Sequence, residues 1–212
     1  MSLRFALLAL LGSRPMTGYD LSKHFSQSVA HVWHAPDSQI YPELNRMERD
    51  GLLEAVPVAW GPKGTKKEYH VTEAGFDAFR EWIDSPLEIR RQRDPAYLKA
   101  AYLEWADPDA ARAQLRQHRS YWAAHLELLE HTRQTLLDHT HPTLAHRLAR
   151  YPSDQHERIV RYKVFAYDGL IDQARAEVAW AERGLVLVDD LEGAAVGTDS
   201  RDALGEQLRP QR

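Results

Sequence analysis

The chain of 212 residues contains no cysteine. Disulfides, thiolate zinc sites and cysteine nucleophiles are thereby excluded, and the composition fits a reducing cytoplasm. No apolar run approaches the roughly 18–20 residues needed to cross a bilayer, so no membrane partner is expected. The opening MSLRFALLALLGSRPMTGYD has an arginine and an apolar stretch but no Ala-x-Ala-like cleavage site, and reads as a first core helix rather than a leader. Positive charge is scarce as well. The formal net charge is −4, and residues 1–84 hold nine Lys/Arg against eleven Asp/Glu, a net of −2. Any nucleic acid must therefore be met by a local cluster rather than by bulk charge. A nucleophile elbow, a phosphate-cradling glycine loop and a His-Glu-x-x-His motif are all missing, so nothing in the sequence identifies an enzyme.

What is present is ordinary globular composition, 43% hydrophobic and 27% charged, arranged in two parts. The spacing predicts a helix from Leu3 to Leu11 closed by Gly12, then a second, YDLSKHFSQSVAHVW, with Leu21, Phe25, Val29 and Val32 on one face. After HAPDS a third helix follows, DSQIYPELNRMERD, stopped by Gly51. Two extended runs, LLEAVPVAW and KEYHVT, flank a GPKGTK loop; Pro57 marks the first as an edge or irregular strand. A fourth helix, EAGFDAFREWID, offers Phe76, Phe79, Trp82 and Ile83 for packing.

The second part begins with a charged linker between Pro86 and Pro95 and a short helix in DPAYLKAAYLEW. Two long amphipathic helices come next. The first is opened by Asp107 as N-cap and Pro108, with Leu115, Trp122, Leu129 and Leu136 seven apart and His118, His125 and Thr132 between them. The second starts at a capping box from Asp154 to Glu157 and ends at Gly184. Faces of this length need a partner, which dimerisation supplies; a closed monomeric bundle is the competing arrangement. From Asp189 the composition predicts a disordered tail.

The third helix has two unlike sides. Ile40, Leu44 and Met47 recur at i, i+4 and i+7, while Gln39, Tyr41, Pro42, Asn45, Arg46 and Arg49 point the other way. Three helices followed by a hairpin is the order of a winged helix-turn-helix, whose third helix enters the major groove. Pro42 is read as a first-turn proline, where the missing amide has no helical partner and costs little. Gln39 and Asn45 have the chemistry to read adenine by paired hydrogen bonds, and the Tyr41 hydroxyl reaches phosphate or base. Arg46 and Arg49 are placed to neutralise phosphates, as are Lys63, Lys66 and Lys67 around the Thr65 hydroxyl of the wing.

MTGYDLSKHF, the pattern Ile-Tyr-Pro-x-Leu-x-x-Met-Glu-x-x-Gly-Leu from Ile40 to Leu52, and the charged wing leading into KEYHVTEAG together resemble the PadR-type transcriptional regulators. The resemblance covers residues 3 to about 84, and the second half is similar, more weakly, to the longer helical C-terminal domain of that family. It implies a homodimer paired through the C-terminal helices, bound to a two-fold-related double-stranded DNA operator, mostly as a repressor released by a small effector. It also implies DNA contacts from Ser38, Gln39, Tyr41, Pro42 and Asn45, from Lys63, Lys66 and Lys67, and from Tyr19 to the backbone. The wing departs from the family in carrying Gly-Pro-Lys-Gly-Thr in place of a more arginine-rich tip.

Each feature also has a plainer reading. Tyr41 can pack against a neighbour, and Lys66 and Lys67 can be a solvated pair. Glu43 and Glu48 repel phosphate and should turn aside or pair with Arg46 and Arg49. His31 and His34, and the set His139, His141 and His146, lack the acidic or cysteine ligands that would complete a metal site, so no metal and no cofactor is expected. His118 and His125 read as buried histidines with hydrogen-bond partners. The aromatics of the second half (Tyr97, Tyr102, Trp105, Tyr121, Trp122, Tyr162, Phe165, Tyr167, Trp180) read as helix-packing core before effector pocket, and Trp33 and Trp60 sit near domain edges. The expected architecture is mainly α: a winged helix-turn-helix domain of three helices and a two-stranded β wing (1–85), a helical dimerisation domain (86–188) and the tail (189–212). A protein-interaction adaptor built on the same scaffold, without direct DNA readout, is the alternative.

Overall fold

A computed structural model describes residues 2–28, 35–60, 64–87 and 94–195. In chain order it contains α1 (Ser2–Leu11), β1 (Met16–Thr17), α2 (Gly18–Ser28), α3 (Asp37–Arg49), β2 (Leu53–Trp60), β3 (Gly64–Val71) and α4 (Glu73–Asp84). There follow α5 (Pro95–Ala100), a 3₁₀ turn (Leu103–Trp105), α6 (Pro108–Leu137), α7 (Pro142–Leu148) and α8 (Ser153–Ala195). Contacts group Met1–Ile89 with Thr135–Lys163 in one compact unit and Arg90–Gln134 with Val164–Arg212 in another. The first break between the units thus falls after Ile89, and residues 135–163 group with the amino-terminal elements.

The first unit is built on one apolar cluster. Leu7 and Leu11 of α1, Leu21 and Phe25 of α2, and Ile40, Leu44 and Met47 of α3 are all buried, with Leu53 and Tyr69 from the sheet. Each such burial stabilises by roughly 1.5–3 kcal/mol. α3 ends as its sequence predicts: Gly51 takes φ 74°, its N–H bonds Glu48 O at 3.1 Å, and Leu52 N–H reaches back to Met47 O at 2.9 Å. That pair of bonds is the Schellman motif, which needs a residue tolerant of positive φ. α4 is capped by the Thr72 hydroxyl, which accepts from Gly75 N–H at 3.1 Å. The rings of Phe5 and Trp82 stack at 4.6 Å between centroids. At the far end of the unit, Arg150 donates to the Ser13 carbonyl at 2.8 Å.

The sheet has three strands, not two. β3 is central, antiparallel to β2 from Leu53↔Val71 to Trp60↔Gly64, and β1 adds Met16↔Tyr69 and Thr17↔Glu68. Two residues carry no readable alternation, so β1 was invisible to periodicity. β2 is an edge strand, as Pro57 required.

Pro42 needs a correction. It is the sixth residue of α3 and lies inside the helix, past the first turn. Its missing amide leaves the Ser38 carbonyl without a helical donor, a loss of about 3 kcal/mol in a helix interior. Complete burial of Ile40, Leu44 and Met47 on the opposite side outweighs that loss.

In the second unit α6 and α8 run antiparallel. Arg112 pairs with Asp189 (2.8 Å) and Glu192 (2.5 Å), Glu130 with Arg175 (2.6 Å), and Arg133 with Asp168 (2.6 Å). Asp107 caps α6, accepting from Asp109 N–H at 2.9 Å. Leu115 and Leu129 are buried, together with Tyr167, Ile171 and Ala174 of α8. The buried Glu177 carboxylate accepts from the Tyr97 hydroxyl at 2.7 Å and faces His118 Nε2 at 2.9 Å. This places His118 with a partner, though half-buried rather than buried.

Two expectations fail along this stretch, where α7 is a further helix that the spacing did not indicate. Asp154 lies in the first turn of α8, which begins at Ser153. The helix also passes through Gly184 and continues to Ala195, so the tail does not start at Asp189. The reason is packing: a Cβ on Gly184 would meet Leu115 Cδ2 at 2.9 Å, so the glycine admits a neighbouring helix instead of stopping its own. Val29, Val32, His31, His34, Trp33, Lys63 and residues 196–212 lie outside the described residues. Among those described, no helix is long and apolar enough to cross a membrane, and no group of three or more His, Asp or Glu is placed to hold a metal ion.

Candidate nucleic-acid interface

Sealing one side of α3 decides where its other side points. With Ile40, Leu44 and Met47 buried, Ser38, Gln39, Tyr41, Pro42, Asn45, Arg46 and Arg49 are exposed. Among the described residues, the side chains of Ser38, Gln39 and Asn45 make no hydrogen bond, so their amide and hydroxyl groups stand ready for an outside partner. The carbonyl of Ser38 joins them through the proline in its own helix. Tyr41 is half held: its ring lies against Gly18, where an added Cβ would come within 2.6 Å of Cε1, while 42% of the residue remains exposed. The plainer reading of Tyr41 as a packing residue is therefore correct for its ring edge.

The cations are less free than the sequence suggested. Arg46 donates to Glu43 at 2.8 Å, and Glu43 also receives Arg4 Nε at 2.9 Å. Arg4 spans from there to Asp50 at 2.7 Å, so one guanidinium of α1 ties the middle of α3 to its C-cap. Two carboxylates raise its already high pKa, although burial acts against them as the largest single influence. Glu48 pairs with Lys67 of β3, at 2.8 and 3.0 Å, and not with Arg49. The hydrogen bond that Lys67 donates to Glu48 raises the Lys67 pKa. Arg49 has no ion-pair partner among the described residues.

Lys66 does something sequence reasoning missed. Its ammonium sits 2.8 Å from the ring centroid of Trp60 and 5.2 Å from that of Tyr19, between two exposed aromatics. A cation held over ring faces gains electrostatic attraction without losing its charge to a carboxylate. The register offered the missing signal: Val58↔Lys66 and Trp60↔Gly64 put Trp60 and Lys66 on one face of the hairpin, two positions apart. Thr65 is exposed beside them. The structure thus brings Tyr19, Lys66 and Trp60 together, and ties Lys67 to α3 through Glu48.

The family model for the transcriptional regulator PadR-like family matches residues 7–81. That stretch of the chain, about a third of its length, is similar to the family. A second model, virulence activator alpha C-term, matches residues 92–188. The negative transcriptional regulator PadR of Bacillus subtilis is 32% identical over 101 residues, 48% of this chain and 53% of that protein. The chain spans about half the length of the curated relatives it matches. Among solved structures, B. subtilis PadR in complex with operator DNA superposes with a TM-score of 0.69 at 23% identity, covering 89% of this chain and 99% of that one. The Vibrio cholerae virulence activator AphA gives 0.65 at 23%, over 89% and 99%. B. subtilis PadR in complex with p-coumaric acid gives 0.65 with the same identity and coverage. These likenesses show the fold, a winged helix followed by long helices.

Proposed function

We propose that the protein is a homodimeric repressor that binds a two-fold-related DNA operator in the cytoplasm and is released by a small molecule. The observation that carries this reading is the exposed side of α3, where Ser38, Gln39 and Asn45 have no internal hydrogen bond on a helix whose reverse side is sealed. In this reading Gln39 and Asn45 read base edges, Tyr41 and Tyr19 reach the backbone, and Lys66 and Arg49 neutralise phosphates. Arg46 and Lys67 contribute less, because each must leave a carboxylate to meet a phosphate. Lys63 and Thr65 complete the wing. Exposed Phe165, Leu187 and Leu191 on α8 supply apolar surface for a second copy. Operator DNA and p-coumaric acid are what the B. subtilis relative was crystallised with, and they support a DNA partner and an effector here.

The test is selection of bound sequences from a random DNA pool by the full chain, followed by affinity against salt. One palindromic sequence should emerge, with affinity falling steeply as salt rises. Gln39→Ala should cost about 1–3 kcal/mol on that operator and little on random DNA. Lys66→Ala should weaken both alike and flatten the salt dependence. A pool that shows no enrichment, or equal losses on both DNAs from Gln39→Ala, would overturn direct readout by α3.

A further inference from the structure

One aromatic of the hairpin has no role in the proposed function. Trp60 ends β2 with 58% of its surface exposed, and Tyr19 at the start of α2 stands 59% exposed. The Lys66 ammonium lies between them, 2.8 Å from the Trp60 ring centroid and 5.2 Å from that of Tyr19. Attraction of a cation to rings is weak at an exposed site, too weak to account for an indole left in water. The backbone that carries the ring is held in place. Trp60 pairs with Gly64, and a Cβ on Gly64 would meet the Trp60 carbonyl oxygen at 2.8 Å, so the two strand ends approach closely. The ammonium occupies one side of the indole, which directs the remaining apolar surface away from it.

A line of contacts joins this ring to α3. The Tyr41 ring lies against Gly18, Tyr19 is the next residue, and Lys66 bridges Tyr19 to Trp60. With α3 in the major groove, which at about 12 Å admits one helix, a hairpin beside it meets the backbone and the adjoining minor groove. That groove is about 6 Å wide, enough for a flat ring entering edge-on. Minor-groove proteins pair cations with apolar side chains in this way. On the groove floor A·T and T·A pairs present acceptors alone, whereas a G·C pair adds the guanine 2-amino group, which obstructs a ring. Narrow A·T tracts also concentrate the negative potential that attracts a lysine.

We propose that Trp60 is a specificity-determining residue: its indole, backed by Lys66, enters the minor groove beside the α3 site and selects A·T over G·C pairs there. Gln39 and Asn45 then set the core of the operator, and Trp60 sets its flanks. The proposal deepens the DNA-binding reading above and rests on it, and the core and the flanks are scored separately so that the two fail separately.

The experiment uses the full chain and the core sequence selected from a random DNA pool, flanked by A·T, G·C or inosine·cytosine pairs. Inosine lacks the 2-amino group, so its pair with cytosine joins a G·C-like major groove to an A·T-like minor groove. The wild type should prefer A·T to G·C flanks by roughly fivefold or more, the range of a single mismatched position. Inosine·cytosine flanks should bind as A·T flanks do. Trp60→Ala should erase the preference while core selection and salt dependence stay as they were. Trp60→Phe, with a smaller flat ring, should keep part of it. Lys66→Ala should instead flatten the salt dependence. Equal wild-type affinity for A·T and G·C flanks, inosine·cytosine flanks that behave as G·C, or a preference that survives Trp60→Ala would overturn the proposal. If Trp60→Ala does not fold, the inosine comparison on the wild type and Trp60→Phe still decide it. A pool with no enriched core would sink the DNA-binding reading and this one with it, and an enriched core with indifferent flanks would sink the role of Trp60 alone.

Discussion

In the amino-terminal unit Ile40, Leu44 and Met47 of α3 are sealed by α1, α2 and the sheet, whereas in the helical unit Phe165, Leu187 and Leu191 of α8 stand 75%, 58% and 62% exposed. In the first unit α3 has its apolar side covered by its own chain and turns a polar face outward. The second spends Leu115, Leu129 and Ile171 on the α6–α8 seam and has apolar surface left over. Apolar area in water is a cost that a second copy removes. Under the function proposed above, the contrast assigns a polyanion to the side of α3 that carries hydrogen-bonding groups and another protein surface to the side of α8 that carries carbon.

Three variants break or sharpen that contrast. The largest effect belongs to Leu44→Ala, which empties a site with no exposure at all. It should cost about 2–5 kcal/mol in denaturant unfolding of the amino-terminal unit. Leu187→Glu with Leu191→Glu acts on the other region: sedimentation should shift from dimer to monomer, with helical circular dichroism retained. If the doubly charged variant sediments as a dimer, that face of α8 is not the interface. The smallest effect is expected from Glu48→Gln. The pair it breaks is exposed, and such pairs add little stability. Melting should stay where it was while Lys67 becomes free for phosphate, so that DNA binding grows steeper in its salt dependence by about one contact. An unchanged slope would show that Lys67 never meets DNA.

Much of this was legible beforehand, and the legible parts share a cause. The face of α3, the stop at Gly51, the cap at Asp107 and the edge position of the Pro57 strand are consequences of backbone sterics and short-range spacing, which a linear text records. The readings that failed depended on distant residues. Gly184 looks like a terminator until Leu115 is seen against it. Pro42 looks like a first-turn proline until the helix is found to start at Asp37. Glu48 was matched to its helical neighbours because spacing gives no view of Lys67, nineteen residues away across the hairpin.

The amino-acid order alone determined which residues of this chain are buried in α3 and which are offered, because a 3.6-residue period assigns sides without reference to anything beyond the helix. Only the tertiary structure decided which offered cations are free, seating Lys66 between two rings and Lys67 on a carboxylate. Charge pairing acts through space, and the spatial neighbours of a side chain are settled by how the elements pack.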